Sequence, residues 1–235
     1  MKKIIILITI FIMASSLAYS NSLGLGLYIP LGGSIPSIYQ NNNNADPNLI
    51  LSPQSAFEVG VIFHPRINFK VDKKGIHHIS IGLDIGWYRD TFKFQYAYKD
   101  FTHEFDSLMT GLNFEWRPLI FQLGIGGGVK VPLSGKYWTG KNYTALGYKD
   151  LSSRFNNLII PYIKLYTGIN LIVLSLSLYV NFDIPNMAVK DNLGSLGEGY
   201  KYPGKLFSVD VGVQFGIHLD IFQFGKKERQ DLIFI

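Results

Sequence analysis

The 235-residue chain has no cysteine, 24 glycines, 17% charged and 14% aromatic residues, and a formal charge of +5. Without cysteine it has no disulfide framework, thiolate metal site, thiol nucleophile or lipid-modified N-terminal cysteine. Lys2 and Lys3 supply two of the five net charges, and no basic block tracks nucleic-acid phosphates, so no nucleic-acid partner is expected.

Lys2 and Lys3 precede an apolar run from Ile4 to Met13, followed by small residues and "LAYS" ending at Ser20. A basic start, a short apolar run and an Ala-x-Ser ending describe a cleaved secretory signal peptide over residues 1–20, too short to span a bilayer. The mature chain is expected to begin at Asn21.

From there apolar residues recur with period two, the strand period. Leu23, Leu25, Leu27 and Ile29 oppose Gly24, Gly26 and Tyr28 in a first strand. A second sets Phe57, Val59, Val61 and Phe63 against Glu58, Gly60 and His64. After the "DKKG" turn (Asp72 to Gly75), a third sets Ile79 to Trp87 against Ser80 to Tyr88. The fourth carries Leu108 to Trp116 with Glu115 and Arg117 opposite, and the fifth Phe121 to Val131 with Gln122 and Lys130 opposite. A sixth, around Ile159 to Ile169, places Tyr162, Lys164 and Tyr166 on its polar face. The seventh runs from Ile172 to Ile184, with Asp183 on the polar stripe, and the eighth from Phe207 to Ile221, with Asp210, Gln214 and Asp220.

The connectors alternate in length. Short ones fall at Asp72 to Gly75, at Arg117-Pro118 and at Gly168 to Asn170. Longer ones are expected at Gly32 to Gln54, Ala97 to His103, Ser134 to Arg154 and Asn186 to Gly204. "LGLGLYIPLGG" (from Leu23) and "LGIGGGVKVPLSG" (from Leu123) end alike, so Pro30 and Pro132 are expected where an upward strand stops donating to the ladder. Glycine on the inner face would make room for larger neighbours.

Short turns on one side and long loops on the other predict an all-β fold, a transmembrane up-and-down antiparallel β-barrel of eight strands over residues 21–224. Ten strands would follow if the first or third loop hides a hairpin. A lipocalin-like soluble barrel would also have eight striped strands, but its exterior would favour Lys, Glu, Thr and Arg over the Gly, Ser, Asn and Tyr found here. Residues 225–235 are read as a short periplasmic tail.

On this layout the chain resembles small bacterial outer-membrane barrels of the OmpA transmembrane-domain or OmpX kind. "QFGIHLDI" also matches the signal by which such proteins reach the barrel-assembly machinery, with Gln214, Gly216, Leu219 and Ile221 at the signal positions. It departs from that pattern because "FQFGKKERQDLIFI" follows. The resemblance implies a monomer in a Gram-negative-type cell outer membrane, in contact with lipid and lipopolysaccharide.

Inside such a barrel Glu58, Asp84, Glu115, Asp183, Asp210 and Asp220 would face Arg117, Lys130 and Lys164, as either an ion pathway or a plug of mutually satisfied charges. An enzyme would need an activated nucleophile. His78-Ser80 sits at the turn end, and His103 and Glu104 have no serine partner by spacing, so no catalytic residue, metal or cofactor is expected. The loop "GKYWTGKNYTALGYKDLSSR" interleaves Lys136 and Lys141 with Tyr137, Trp138, Tyr143 and Tyr148, which suits a sugar, an anionic headgroup, or a host or envelope protein. The same aromatic residues could belong to the interfacial girdle, as Trp87, Trp116 and Phe121 do. The expected role is structural or surface-interacting, without catalysis. A narrow passive channel and, less readily, a lipid-modifying enzyme are the alternatives.

Overall fold

A computed structural model describes residues 21–39, 52–71, 77–96, 99–171, 173–189 and 204–224. Its elements are β1 (Asn21–Tyr39), β2 (Ser52–Gln54), β3 (Ala56–Lys70), β4 (His77–Tyr96), β5 (Lys99–Pro118), β6 (Phe121–Thr139), β7 (Asn142–Leu146), α1 (Tyr148–Arg154), β8 (Phe155–Asn156), β9 (Ile160–Leu171), β10 (Leu174–Asp183), β11 (Met187–Val189) and β12 (Lys205–Phe224). The signal peptide, "DKKG", "NNNNAD" (Asn41 to Asp46), nearly all of "EGYKYPG" (Glu198 to Gly204) and the tail lie outside the described residues.

Eight strands form the ring β1-β3-β4-β5-β6-β9-β10-β12, all antiparallel, and β12 pairs back onto β1 from Asn21↔Phe224 to Tyr39↔Lys205. Closure pairs the backbone groups that an open edge would leave bare in hydrocarbon. The short strands add to the loop end only: β2 on β4, β7 on β6, and β11 between β12 and β8. A hairpin is present in the third loop, but it extends the wall without adding membrane-crossing strands.

Because side chains alternate across the wall, one stripe of each strand faces out. Leu108, Leu112, Phe114 and Trp116 of β5 are exposed, as are Leu123 and Ile125 of β6 and Leu174, Leu176 and Leu178 of β10. The distance from Leu108 to Trp116 matches the roughly 9–11 tilted residues that cross a bilayer. Their inward neighbours include the buried polar residues Asn113, Glu115, Gln122, Ser175 and Ser177, alongside Met109 and Tyr179. Glycines on this inner stripe admit large rings: a Cβ on Gly124 would overlap Tyr166, and one on Gly216 would overlap Tyr28.

Beyond Trp87 and Leu108 the stripes exchange character. Outward positions become Arg89 and Lys93 on β4 and Thr102, Glu104 and Asp106 on β5. Inward positions become Phe92, Phe94, Phe101 and Phe105, which pack with Leu151, Ile160, Met187 and Leu206 into an apolar vault across the loop end of the lumen. Inside the belt the exterior meets lipid, whereas above it the exterior meets water and the apolar residues turn inward.

This exchange corrects two expectations. The connector expected over Ala97 to His103 is mostly strand, since β4 and β5 pair out to Tyr96↔Lys99 and only residues 97 and 98 lie between them. The loop expected from Ser134 to Arg154 is largely the β6–β7 hairpin and α1. Gly140, with φ 62°, takes the first position of that hairpin's two-residue turn, where glycine is favoured.

Other boundaries also move. Pro30 and Pro132 lie within strands, opposite Gln214 and Ser107. Without an N–H, Pro30 falls at a gap in the β1–β3 register, and Pro132 sits beside a bulge. Gly168 to Asn170 are paired residues of β9, not a turn: Gly168 allows close approach of β10, where a Cβ would meet Ser177. Leu119 and Ile120, just past Arg117-Pro118, form the turn between β5 and β6.

Candidate functional site

Two polar regions stand out, one on the outer face of the β6–β7 hairpin and one in the lumen. On the hairpin Trp138 pairs with Tyr143 across the strands, ring centroids 4.8 Å apart at 39°. Lys136 rests over the Tyr143 ring, 5.5 Å from its centroid. All three follow from alternation, which sends Lys136 and Trp138 outward.

Tyr137, between them, points inward instead. It is 7% exposed and packs in the vault, which corrects its expected place on a ligand-binding loop. Lys141 is exposed at the turn, and Tyr148 is exposed on α1, whose Leu151 is buried in the vault. The Asp150 carboxylate accepts the Gly147 N–H at 2.9 Å and caps α1.

Nearer the belt Arg89 and Trp87 both donate to Asp106 Oδ1, at 2.8 and 3.2 Å, and Arg89 lies 5.4 Å from the Trp87 ring centroid. Lys93 pairs with Asp100 at 3.2 Å. These cations have carboxylate partners, whereas Lys136 lies against an aromatic face.

In the lumen, eight of the nine residues of the expected charge network lie buried or half-buried on the inner stripe, and Asp220 lies more exposed at its turn end. At the turn end Arg117 Nε lies 2.7 Å from Glu115, and Arg66 3.8 Å from Asp220. Arg117 also donates to Asn68 and Ser80, and Asn68 donates to Ser22 at 2.8 Å. Higher up, His64 Nδ1 lies 2.6 Å from Asp84, and Lys164 bridges Asp84 (3.8 Å) and Gln214 (2.6 Å). A cavity of about 10 Å³ among Tyr28, His64, Asp84, Glu115 and Tyr166 has room for about one water.

Below the vault Lys130 lies against Asp90 and Asp183, the latter at 2.7 Å, with Asp210 at 3.7 Å. Glu58 Oε2 accepts from Tyr88 at 2.9 Å and Oε1 from the Thr91 N–H at 2.9 Å. Sequence reasoning missed Asp90 and Arg66, although continuing the period from Asp84 to Asp90 and from His64 to Arg66 reaches both.

Of the assembly-signal positions, Gln214 binds Lys164 inside, Gly216 underlies Tyr28, and Leu219 and Ile221 face outward. The β1–β12 register slips at Leu23/Gly24, so Ile221 has no opposite residue. His103, the loop-side histidine, is enclosed by Phe105, Tyr137 and Phe155.

No family model matches the chain, and no curated protein matches it. Among solved structures it is similar to Ail, the attachment invasion locus protein of Yersinia pestis, in complex with the heparin analogue sucrose octasulfate, at 8% identity and TM-score 0.37, covering 84% of this chain and 99% of that one. It is also similar to the outer membrane protein AlkL in DMPC bilayers, at 14% identity and TM-score 0.42 over 89% of this chain and 95% of that one. For OprG from Pseudomonas aeruginosa the values are 10% and 0.32, over 86% and 97%.

Proposed function

We propose that this protein is an integral outer-membrane barrel, closed to bulk passage, that engages the sugars and anionic groups of the surrounding leaflet through the outer face of its β6–β7 hairpin. The observation that carries this reading is the Trp138–Tyr143–Lys136 cluster, set on the lipid side of the wall and above the apolar belt. Trp138 pairs with Thr102, six residues beyond Leu108 on β5, or about 20 Å along the tilted strand and about 15 Å in height. That height corresponds to headgroups and their sugars. An aromatic face beside a cation suits both partners.

Closure is supported by the ion-paired lumen and by the vault of Phe92, Phe105, Leu151 and Leu206 above it. Catalysis is not assigned, because His103 is packed among aromatic rings rather than beside a nucleophile. Leu219 and Ile221 of β12 are the residues offered to the barrel-assembly machinery, and the monomer is the working form.

The test is lipopolysaccharide binding by the refolded mature protein and by a Trp138→Ala/Tyr143→Ala variant. At least tenfold weaker binding by the folded variant is expected, and equal binding would sink the site. Planar-bilayer recording of the same preparation should be silent, whereas stable conductance steps would favour the channel reading.

A further inference from the structure

Charge in the lumen is layered, and the layers do not balance alike. Toward the turn end Arg66, Arg117 and Lys164 face Asp220, Glu115 and Asp84, three cations against three carboxylates. Beneath the vault the ion pairs of the described residues supply one cation, Lys130, against Asp90, Asp183 and Asp210, with Glu58 beside them. Each of these five side chains is 5% exposed or less. An excess of three negative charges in a dry enclosure is costly, so protons or a second cation must offset it.

Geometry favours a cation. Glu58, Asp90 and Asp210 each offer a carboxylate oxygen, and the three oxygens lie within 4.8 Å of one another. Three oxygens spaced evenly around a calcium ion at about 2.3–2.6 Å stand up to about 4.0–4.5 Å apart, so spacings of up to 4.8 Å lie close to what one shared ion requires. The Lys130 ammonium contacts Asp90 and Asp183 and lies 3.7 Å from Asp210, so it would share two of these carboxylates with the ion.

An independent observation comes from Asn181, which is 2% exposed. Its amide nitrogen donates to Asp210 Oδ2 at 2.9 Å, while its Oδ1 is buried without a hydrogen-bond partner. A buried amide oxygen next to carboxylates has no nearby proton to accept from them when they are ionised, but it is an ordinary ligand for a hard cation. Ser208 donates to both Asp183 and Asp210, at 2.8 and 2.7 Å, and Ser107 to Asp90 at 2.8 Å, which holds the carboxylates in place.

We propose that Glu58, Asp90, Asp210 and the Asn181 carbonyl oxygen form a binding site for a hard divalent cation, calcium by its size, buried between Lys130 and the apolar vault. The ion would lower the local excess from three charges to one. Enclosure by the vault makes the ion a component acquired during folding and slow to leave. The site stands independently of any ligand for the hairpin.

The full mature protein should be refolded into detergent with calcium, freed of loose metal on a chelating column, and assayed for metal by atomic emission. About one retained calcium per chain is expected, and terbium refolded in its place should emit on tyrosine excitation because Tyr88 bonds Glu58. Asn181→Leu, which keeps all four carboxylates, and Glu58→Gln should each reduce retention at least tenfold while circular dichroism reports an intact barrel. Folded wild-type protein that retains neither ion would overturn the site and assign the excess charge to protons. Retention unchanged in a folded Asn181→Leu or Glu58→Gln variant would overturn it as well.

Discussion

The Lys130 ammonium stands 2.7 Å from Asp183 Oδ1, and neither side chain touches solvent. Lys130 comes from β6 and Asp183 from β10, on opposite sides of β9, so this pair ties the wall together over the inner face of β9. Breaking a buried pair leaves an uncompensated charge, which typically costs about 3–5 kcal/mol. Lys130→Met is therefore expected to lower stability by about that much in urea unfolding at neutral pH. Adding Asp183→Asn should restore part of the loss. A near-neutral Lys130→Met would mean that the surrounding carboxylates carry no charge.

Gly124 lies beneath the Tyr166 ring with no space for a side chain. Gly124→Leu should force the ring aside and destabilise the barrel by about 1–3 kcal/mol, the usual range for overpacking. A Gly124→Leu/Tyr166→Ala double variant should recover stability in the same unfolding assay. Failure to recover would separate the glycine's role from the ring.

Leu178, 62% exposed, faces outward within the apolar belt, while its neighbour Tyr179 faces in. Leu178→Arg should cost about 2–4 kcal/mol when the protein is refolded into vesicles, as for a cation at the midplane of a barrel's lipid face. Lys136→Leu, above the belt, should leave that equilibrium nearly unchanged. A tolerated Leu178→Arg would move the membrane boundary.

Above the belt His103 packs against Tyr137, with ring centroids 4.8 Å apart, and Phe105. Burial, helped by Arg154, pushes its imidazole down to about 3. The folded value lies below the unfolded value of about 6.5, so the neutral ring's contribution is complete above that pH. It is lost progressively as pH falls from about 6.5 toward 3. His103→Phe should flatten this acid-side decline between pH 7 and pH 5 in urea unfolding. An unchanged slope would place the titration elsewhere.

The eight-strand ring was legible in the sequence because one physical condition, lipid outside and packed polar groups inside, holds along each membrane-spanning segment and writes itself as period two. The inward positions of Glu58, Asp84, Glu115, Lys130, Lys164, Asp183 and Asp210 follow from the same alternation. Where the environment changes, that reading stops. Beyond Trp87 and Leu108 the outer face meets water, the apolar and polar stripes exchange faces, and strand continuing to Tyr96 and from Lys99 reads as loop. Tyr137 was misplaced for the same reason.

What only tertiary structure decided is which inward residues share a level of the barrel. Register and closure bring Glu58 of β3, Asp90 of β4, Lys130 of β6 and Asp210 of β12 to one layer, although they are scattered along the chain. Local periodicity fixes the face a side chain occupies, but the neighbour across the lumen depends on how every intervening strand is paired. The sequence therefore determined the wall, and the closed ring determined which charges must be balanced inside it.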